Sequence, residues 1–250
     1  MSTADLWFTR ATLRRGAPDV APLIEILLGD AGDGRGLDTT HRLLWTLMPP
    51  EMQEAGKPCL PTGADKAAFL WRRAPDAAGT DAFYLLGPRP RDDSAFFSIE
   101  SKPWKPRFAP GDRLVFDLLV NATVDRQMDS GMGRQGRKRI DVVADALRET
   151  GTADRPRGLA KERLAAVALK GWLDGQGQRN GFCLKGAPDL LDQDILIVGG
   201  RRRNSPKLGV ARLAGTLEVT DPEAFGRRVA AGFGRGKAFG CGLMLIKRPD

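Results

Sequence analysis

The stretch RLVFDLLVNA, residues 113–122, reads as a strong β-strand, and the elements that follow it decide the fold. A basic, glycine-bearing segment comes next, SGMGRQGRKRIDVV (130–143). The spacing of GLAKERLAAVALKGWLDG (158–175) then predicts a helix with Leu164, Val167, Ala168 and Trp172 on one side. Strands are expected in GFCLKG (181–186), DILIVGG (194–200) and LGVARLAGTLEV (208–219), a capped helix in DPEAFGRRVAAG (221–232), and a last strand in GLMLIKR (242–248). The order strand, helix, strand, strand, helix, strand is the split βαβ pattern of the ferredoxin-like fold.

The first half gives the same order less cleanly. DLWFTRAT (5–12) is a strand with Leu6 and Phe8 at alternating apolar positions, and PDVAPLIEILLGD (18–30) a helix opened by Pro18 and Asp19 and stopped at Gly29. GDAGDGRG (29–36) reads as a flexible loop. In LDTTHRLLWTLMPP (37–50), Asp38 or Thr39 can cap a helix that Pro49 and Pro50 end, with Leu43, Leu44, Leu47 and Met48 as its apolar stripe. That start places His41 in the first helical turn. KAAFLWRR, DAFYLLG and SAFFSIESK are short strands, and the proline-rich KPWKPRFAPGD (102–112) tolerates no regular element. The expectation is an α+β chain of two tandem ferredoxin-like (RRM-like, βαββαβ) domains, 1–103 and 113–250, joined by a linker over 104–112.

Composition narrows the function. The 250 residues are 42% hydrophobic and 28% charged, ordinary for a folded protein, but the net charge of +8 and an isoelectric point near 9.7 favour a polyanionic partner. No apolar run approaches the roughly 20 residues that cross a bilayer, and the first residues lack the apolar core of a signal peptide, so a cytoplasmic protein without a membrane partner is expected. Cys59, Cys183 and Cys241 stand far apart, and His41 is the one histidine, so neither a disulfide framework nor a His- or Cys-based metal site is suggested. Carboxylate-only magnesium sites stay open, though no tight Asp/Glu cluster advertises one, and no small-molecule cofactor is expected.

The chain closes with AAGFGRGKAFGCGLMLIKRPD (230–250). Gly232, Gly234, Gly236, Gly240 and Gly242 surround Arg235 and Lys237. Glycines admit positive φ and let the backbone approach a partner, and exposed N–H groups beside cations grip phosphates. The loop follows a helix and precedes a strand, which is not the order of a dinucleotide or P-loop fingerprint. The competing reading is a mobile connecting turn. Two further basic runs suit a phosphate ridge: Arg134, Arg137, Lys138 and Arg139 at the start of a strand, and Arg201, Arg202, Arg203 and Lys207 between strands. Each by itself also reads as a solvated turn. A slender basic hairpin is one of few elements that can track into the deep, narrow major groove of A-form RNA. Aromatic content of 7% and the absence of an RNP-type aromatic run argue against a base-stacking reader of single strands.

Taken together, the C-terminal glycine pattern, and GKAFGCGLMLI (236–246) in particular, resembles the signature of the CasE family of Cascade-associated CRISPR repeat endoribonucleases. THRLLWTLMP (40–49) is similar to that family's histidine helix, GDRLVFDLLVNATV (111–124) to the strand opening its second half, and LAGTLEVTDPEAF (213–225) to the strand leading to its last helix. The resemblance implies a tandem ferredoxin-like protein that binds the CRISPR repeat RNA stem-loop, cuts once at its 3′ base without a metal ion, and stays on the product with the other Cascade subunits. Attack by the 2′-oxygen would leave a 2′,3′-cyclic phosphate and a 5′-hydroxyl. His41 suits the base, since a helix N-terminus keeps an imidazole neutral, and Lys237 the cation that assists it. From chemistry alone, His41 reads more readily as a histidine capping or packing at the helix start. Asp38 stands where the family often has tyrosine, and the single tyrosine, Tyr84, falls in an expected strand, so the general acid stays open. The alternatives are a catalytically silent RNA-hairpin-binding subunit and a basic scaffold with no hairpin preference.

Overall fold

A computed structural model describes residues 6–14, 35–54, 67–75, 81–130, 134–151, 157–197 and 207–249. The chain divides into two compact units. The first gathers Met1–Arg107, Ile195–Leu208 and Arg227–Leu243, the second Phe108–Asp194, Gly209–Gly226 and Met244–Asp250. The crossover after Arg107 lies inside the proline-rich stretch expected to be a linker. The sequence-based boundaries put 227–243 with the second half, whereas its contacts group it with the first.

In the first unit, β1 (Trp7–Leu13), β2 (Leu70–Pro75), β3 (Asp81–Gly87) and β4 (Phe97–Pro103) form an antiparallel sheet in the order β2-β3-β1-β4. This is the 4-1-3-2 order of a ferredoxin-like sheet. Register pairs Ala11 with Phe83 and Ile99, and Leu13 with Phe97. The buried face of β1 carries Thr9, Ala11 and Leu13 rather than the expected Leu6 and Phe8; Phe8 points the other way and stacks on Tyr84 at 6.0 Å. One position of register moves a side chain to the opposite face.

Helix α1 (Arg35–Trp45) lays Leu43 and Leu44 on this sheet. Leu47 and Met48, just beyond its end, complete a core with Phe69, Trp71, Phe83, Leu85 and Phe97. The apolar stripe was therefore legible, but the helix start was not. The helix already runs through Asp38 and Thr39, so neither is its cap, and Arg35 and Gly36 are helical rather than part of a loop. Pro50 opens a short helix, α2 (Pro50–Glu54), where its missing N–H is harmless. No helix joins β3 to β4. The helix expected over 18–30 lies outside the described residues.

The second unit repeats the order: β11 (Met244–Lys247), β5 (Arg113–Val120), β10 (Lys207–Val219) and β8 (Phe182–Leu184) are neighbours in that sequence, and β9 (Asp189–Ile197) also pairs with β10. On β5, Leu114, Phe116, Leu118 and Val120 are buried in strict alternation. Helix α4 (Leu159–Asn180) covers the sheet with Ala165, Leu169, Trp172 and Leu173, and α5 (Pro222–Ala231) contributes Phe225, whose ring meets Phe108 and Phe182 edge-on at 4.9 and 5.6 Å. Between β5 and α4 the chain inserts a two-stranded hairpin, β6 (Thr123–Ser130) and β7 (Arg134–Asp141), then α3 (Val142–Glu149). Asp141 caps α3, accepting from the N–H groups of Val143 and Ala144, both at 3.0 Å.

Candidate nucleic-acid interface and histidine site

All five glycines of the C-terminal loop have positive φ, from 60° at Gly234 to 92° at Gly242. Gly236 and Gly240, both left-handed, bracket a single 3₁₀ turn, Lys237–Phe239. The turn is pinned from inside and below. The Phe239 N–H donates to the Gly236 carbonyl at 2.8 Å, Phe233 N–H to Gly242 at 2.9 Å, and the Trp71 indole Nε1–H to the Ala238 carbonyl at 3.2 Å. Phe233, Ala238, Cys241 and Leu243 are buried. A Cβ on Gly240 would stand 3.2 Å from the Trp71 ring, and one on Gly242 2.6 Å from the Phe233 carbonyl oxygen. The loop is thus a packed turn, and part of the reason for its glycines is the closeness of protein atoms beneath it. Sequence reasoning did not find Trp71 as its anchor; a lone tryptophan in a strand gives no such signal. Nor did it find the Arg228 guanidinium, 5.1 Å from the centroid of the Phe233 ring.

The 3₁₀ turn carrying Lys237 packs against β2 and against α1, the helix of His41. Lys237 is half-buried. His41 is buried at 5% exposure; its ring stacks on Phe69 at 5.3 Å and meets Trp45 at a tilt, 6.0 Å away. It is not in the first turn. The helix begins six residues earlier at Arg35, and the field of a helix terminus fades within one turn, so the expected dipole argument for a neutral ring does not apply.

The run 134–141 is the second strand of the β6–β7 hairpin, opposite Thr123–Ser130. Arg137 and Lys138 are exposed, facing Gln127 and Arg126 across the ladder. Arg139, also exposed, faces Asp125 and donates Nε–H to its Oδ1 at 2.6 Å and an Nη2–H to its Oδ2 at 3.3 Å. That hydrogen bond holds the Asp125 carboxyl below the usual carboxylate range. Arg126, which the sequence did not single out, clips the hairpin to α3: it reaches Asp145 at 2.7 Å and Glu149 at 2.8 Å, and these bonds raise its own pKa. Arg134 opens β7 and Lys207 opens β10, where it is exposed; Arg201, Arg202 and Arg203 lie outside the described residues. The hairpin belongs to the second unit and the glycine loop and His41 to the first; Lys207 and Leu208, the first two residues of β10, group with the first unit, and the strand from Gly209 on with the second. Among the described residues, no helix is long and apolar enough to cross a membrane, and no three His, Cys, Asp or Glu side chains cluster so as to hold a metal ion.

The sequence model of a family described as CRISPR associated protein matches residues 6–248. Among solved structures, the chain is similar to Thermus thermophilus Cse3 bound to an RNA representing a pre-cleavage complex, with 19% identity, a TM-score of 0.61, and 97% of this chain and 99% of that one covered. It is similar to the CRISPR-associated protein Cas6e from Escherichia coli K-12, with 17% identity, a TM-score of 0.53, and 97% and 100% covered. A chain of a CRISPR RNA-guided surveillance complex in a pre-nicking state matches at 16% identity and a TM-score of 0.54, again over 97% and 100%. These likenesses agree with the tandem ferredoxin-like architecture. No curated protein matches the chain in sequence.

Proposed function

Since the chain belongs to the family of CRISPR associated proteins, we propose that it is the endoribonuclease that binds the CRISPR repeat stem-loop and cleaves the precursor transcript at the 3′ base of the hairpin. It then stays on the mature guide, in the cytoplasm, as a subunit of a surveillance complex of the Cascade kind. The observation that carries this reading is the contact of the Lys237 turn with the His41 helix. It brings the elements bearing an imidazole and an ammonium to one place in the first unit. The names of similar structures support the substrate: Cse3 bound to RNA, and a chain of an RNA-guided complex.

In the chemistry proposed, His41 takes the proton of the 2′-hydroxyl next to the scissile phosphate and the 2′-oxygen attacks phosphorus in line. The P–O5′ bond breaks, giving a 2′,3′-cyclic phosphate and, after protonation, a 5′-hydroxyl. Lys237 would stand against the charge of the phosphorane, where a fixed cation is worth most. No metal is assigned a role in these steps. The exposed Arg137 and Lys138, with Arg134, Arg139, Lys207 and the arginines 201–203, supply the charge for the stem, and the glycine loop its backbone.

One observation favours a second reading, an RNA-binding subunit without catalysis: His41 is enclosed by Phe69 and Trp45. Incubating the protein and its His41→Ala variant with the host's repeat RNA in EDTA decides between them. The nuclease gives a single cut ending in a cyclic phosphate, lost in the variant while RNA affinity is kept. A silent subunit gives tight binding and no cut in either protein. A cut that survives the substitution, or appears only with added magnesium, removes His41 or the metal-free chemistry from the mechanism.

A further inference from the structure

Helix α4 does not bury the face its sequence suggests. Its core contacts come from Ala165, Leu169, Trp172 and Leu173, so of the expected apolar side only Trp172 is well covered. Leu164 and Ala168 are half-buried, and Val167 is 69% exposed. The same face continues through Gly171 and Gly175. A glycine inside a helix costs stability relative to alanine, and at Gly171 no atom lies within 4 Å of the place a Cβ would take, so nothing in the described part of the unit uses the missing side chain.

Beside this face runs a groove of about 500 Å³, its other wall made by α3 and β6. The α3 side presents Val142, Asp145, Ala146 and Glu149, again at helical spacing. Asp145 is 4% exposed. Its Oδ2 is bonded to Arg126, but its Oδ1 is buried with no hydrogen-bond partner among the described residues. An unmatched buried acceptor is costly and asks for a donor. Arg126 between Asp145 and Glu149 leaves that wall one negative charge in excess, while at the far end of the α4 side the Arg179 guanidinium covers Gly175, 3.4 Å from the place a Cβ would take.

We propose that this groove is the docking site for an α-helix of another protein subunit, one that lays an apolar ridge along Leu164, Val167 and Gly171 and offers one lysine or arginine to Asp145. Two walls at helical spacing with a floor of small residues fit a third helix, the helix-in-groove mode of recognition. An RNA backbone fits less well: its phosphates are repelled by Asp145, and a ribose 2′-hydroxyl, though a donor, brings no positive charge to the carboxylate. The inference rests on the reading of the chain as a subunit of an RNA-guided complex, and gives that complex a protein-facing surface beside the basic hairpin, sharing Val124 and Arg126 of β6 with it.

The test is co-expression with the protein subunits of the surveillance complex of the same cell and a guide transcript, comparing wild type, Gly171→Leu and Asp145→Asn. Repeat-RNA binding and cleavage by each isolated protein are measured in parallel. Leucine at 171 is compatible with the helix and fills the groove. Gly171→Leu is expected to melt no lower than wild type and to handle repeat RNA within about twofold of it, yet to co-purify with the complex at least about tenfold less. Asp145→Asn is expected to weaken assembly with RNA binding kept. Assembly of Gly171→Leu at the wild-type level overturns the proposal, as does loss of RNA affinity in that variant, which would make the groove a nucleic-acid surface. A wild-type protein that cuts repeat RNA but joins no complex overturns it too while the nuclease stands; one that assembles without cutting or binding RNA sinks the nuclease reading instead.

Discussion

A methyl group on Gly242 would lie 2.6 Å from the Phe233 carbonyl oxygen on a backbone with φ of 92°. Neither the contact nor the conformation suits an L side chain, so Gly242→Ala is expected to cost about 1–3 kcal/mol, read as a lower urea midpoint with unchanged m-value. Trp71 supports the same loop differently, through its ring beneath Gly240 and its Nε1–H on Ala238. Trp71→Phe keeps an aromatic ring there and removes the donor, leaving the Ala238 carbonyl unmatched. A loss of about 1 kcal/mol is expected, smaller than for the glycine. A Trp71→Phe variant as stable as wild type would show that the hydrogen bond carries nothing. The five glycine positions could be read from sequence because positive φ is a property of single residues. The tryptophan beneath them could not, because it is about 170 residues away in the chain and its role depends on what folds over it.

On the hairpin, charge and availability differ. Arg137 and Lys138 are exposed, whereas Arg139 is held by Asp125 in the same rung. If the hairpin tracks the RNA stem, Arg137→Ala should weaken repeat binding and lower the slope of log affinity against log salt by about one. Asp125→Asn should do the reverse, removing a negative charge from the hairpin and steepening the salt dependence. Equal slopes for all three proteins, measured by fluorescence anisotropy across a salt series, would remove the hairpin from the interface. The basic run itself was plain in the sequence. The pairing within it was not, because it follows from a cross-strand register in which Asp125 meets Arg139 and Arg126 is left to face α3.

For the molecule as a whole, the perturbed carboxylates among the described residues all move one way. Asp93 is held down by Arg91, Asp112 by the Ala109 N–H and then Arg248, Asp125 by Arg139, and Glu218 by Lys185. A carboxyl whose folded pKa lies below its unfolded value stabilises the fold above the unfolded value, and that contribution disappears as pH falls through the folded one. The contribution of these four carboxylates should therefore be flat from neutral down to about pH 5 and fall below about pH 4, where unfolded carboxylates titrate. A series of denaturation curves from pH 7 to 3 checks this, and stability unchanged between pH 5 and pH 3 would contradict it. Asp93 and Asp125 are exposed, so raised salt at neutral pH should weaken their pairs, while those of the half-buried Asp112 and Glu218 are screened less.

What the sequence determined by itself was local: strands and helices from apolar periodicity, the repeated order of elements from which tandem ferredoxin-like units follow, the glycines that must turn with positive φ, and the histidine helix with its apolar stripe. Each of these depends on neighbours within a few residues. Only the tertiary structure decided that residues 227–243 fold with the first unit, because Phe233, Cys241 and Leu243 need a core and Trp71 with Leu70 offers one. It also decided that His41 is enclosed by aromatic rings, that Arg126 and Arg139 are engaged by carboxylates, and that α4 turns Val167 and Gly171 outward. Which face of an element is covered, and which charges are matched, depends on surfaces far apart in the chain, and periodicity carries no record of them.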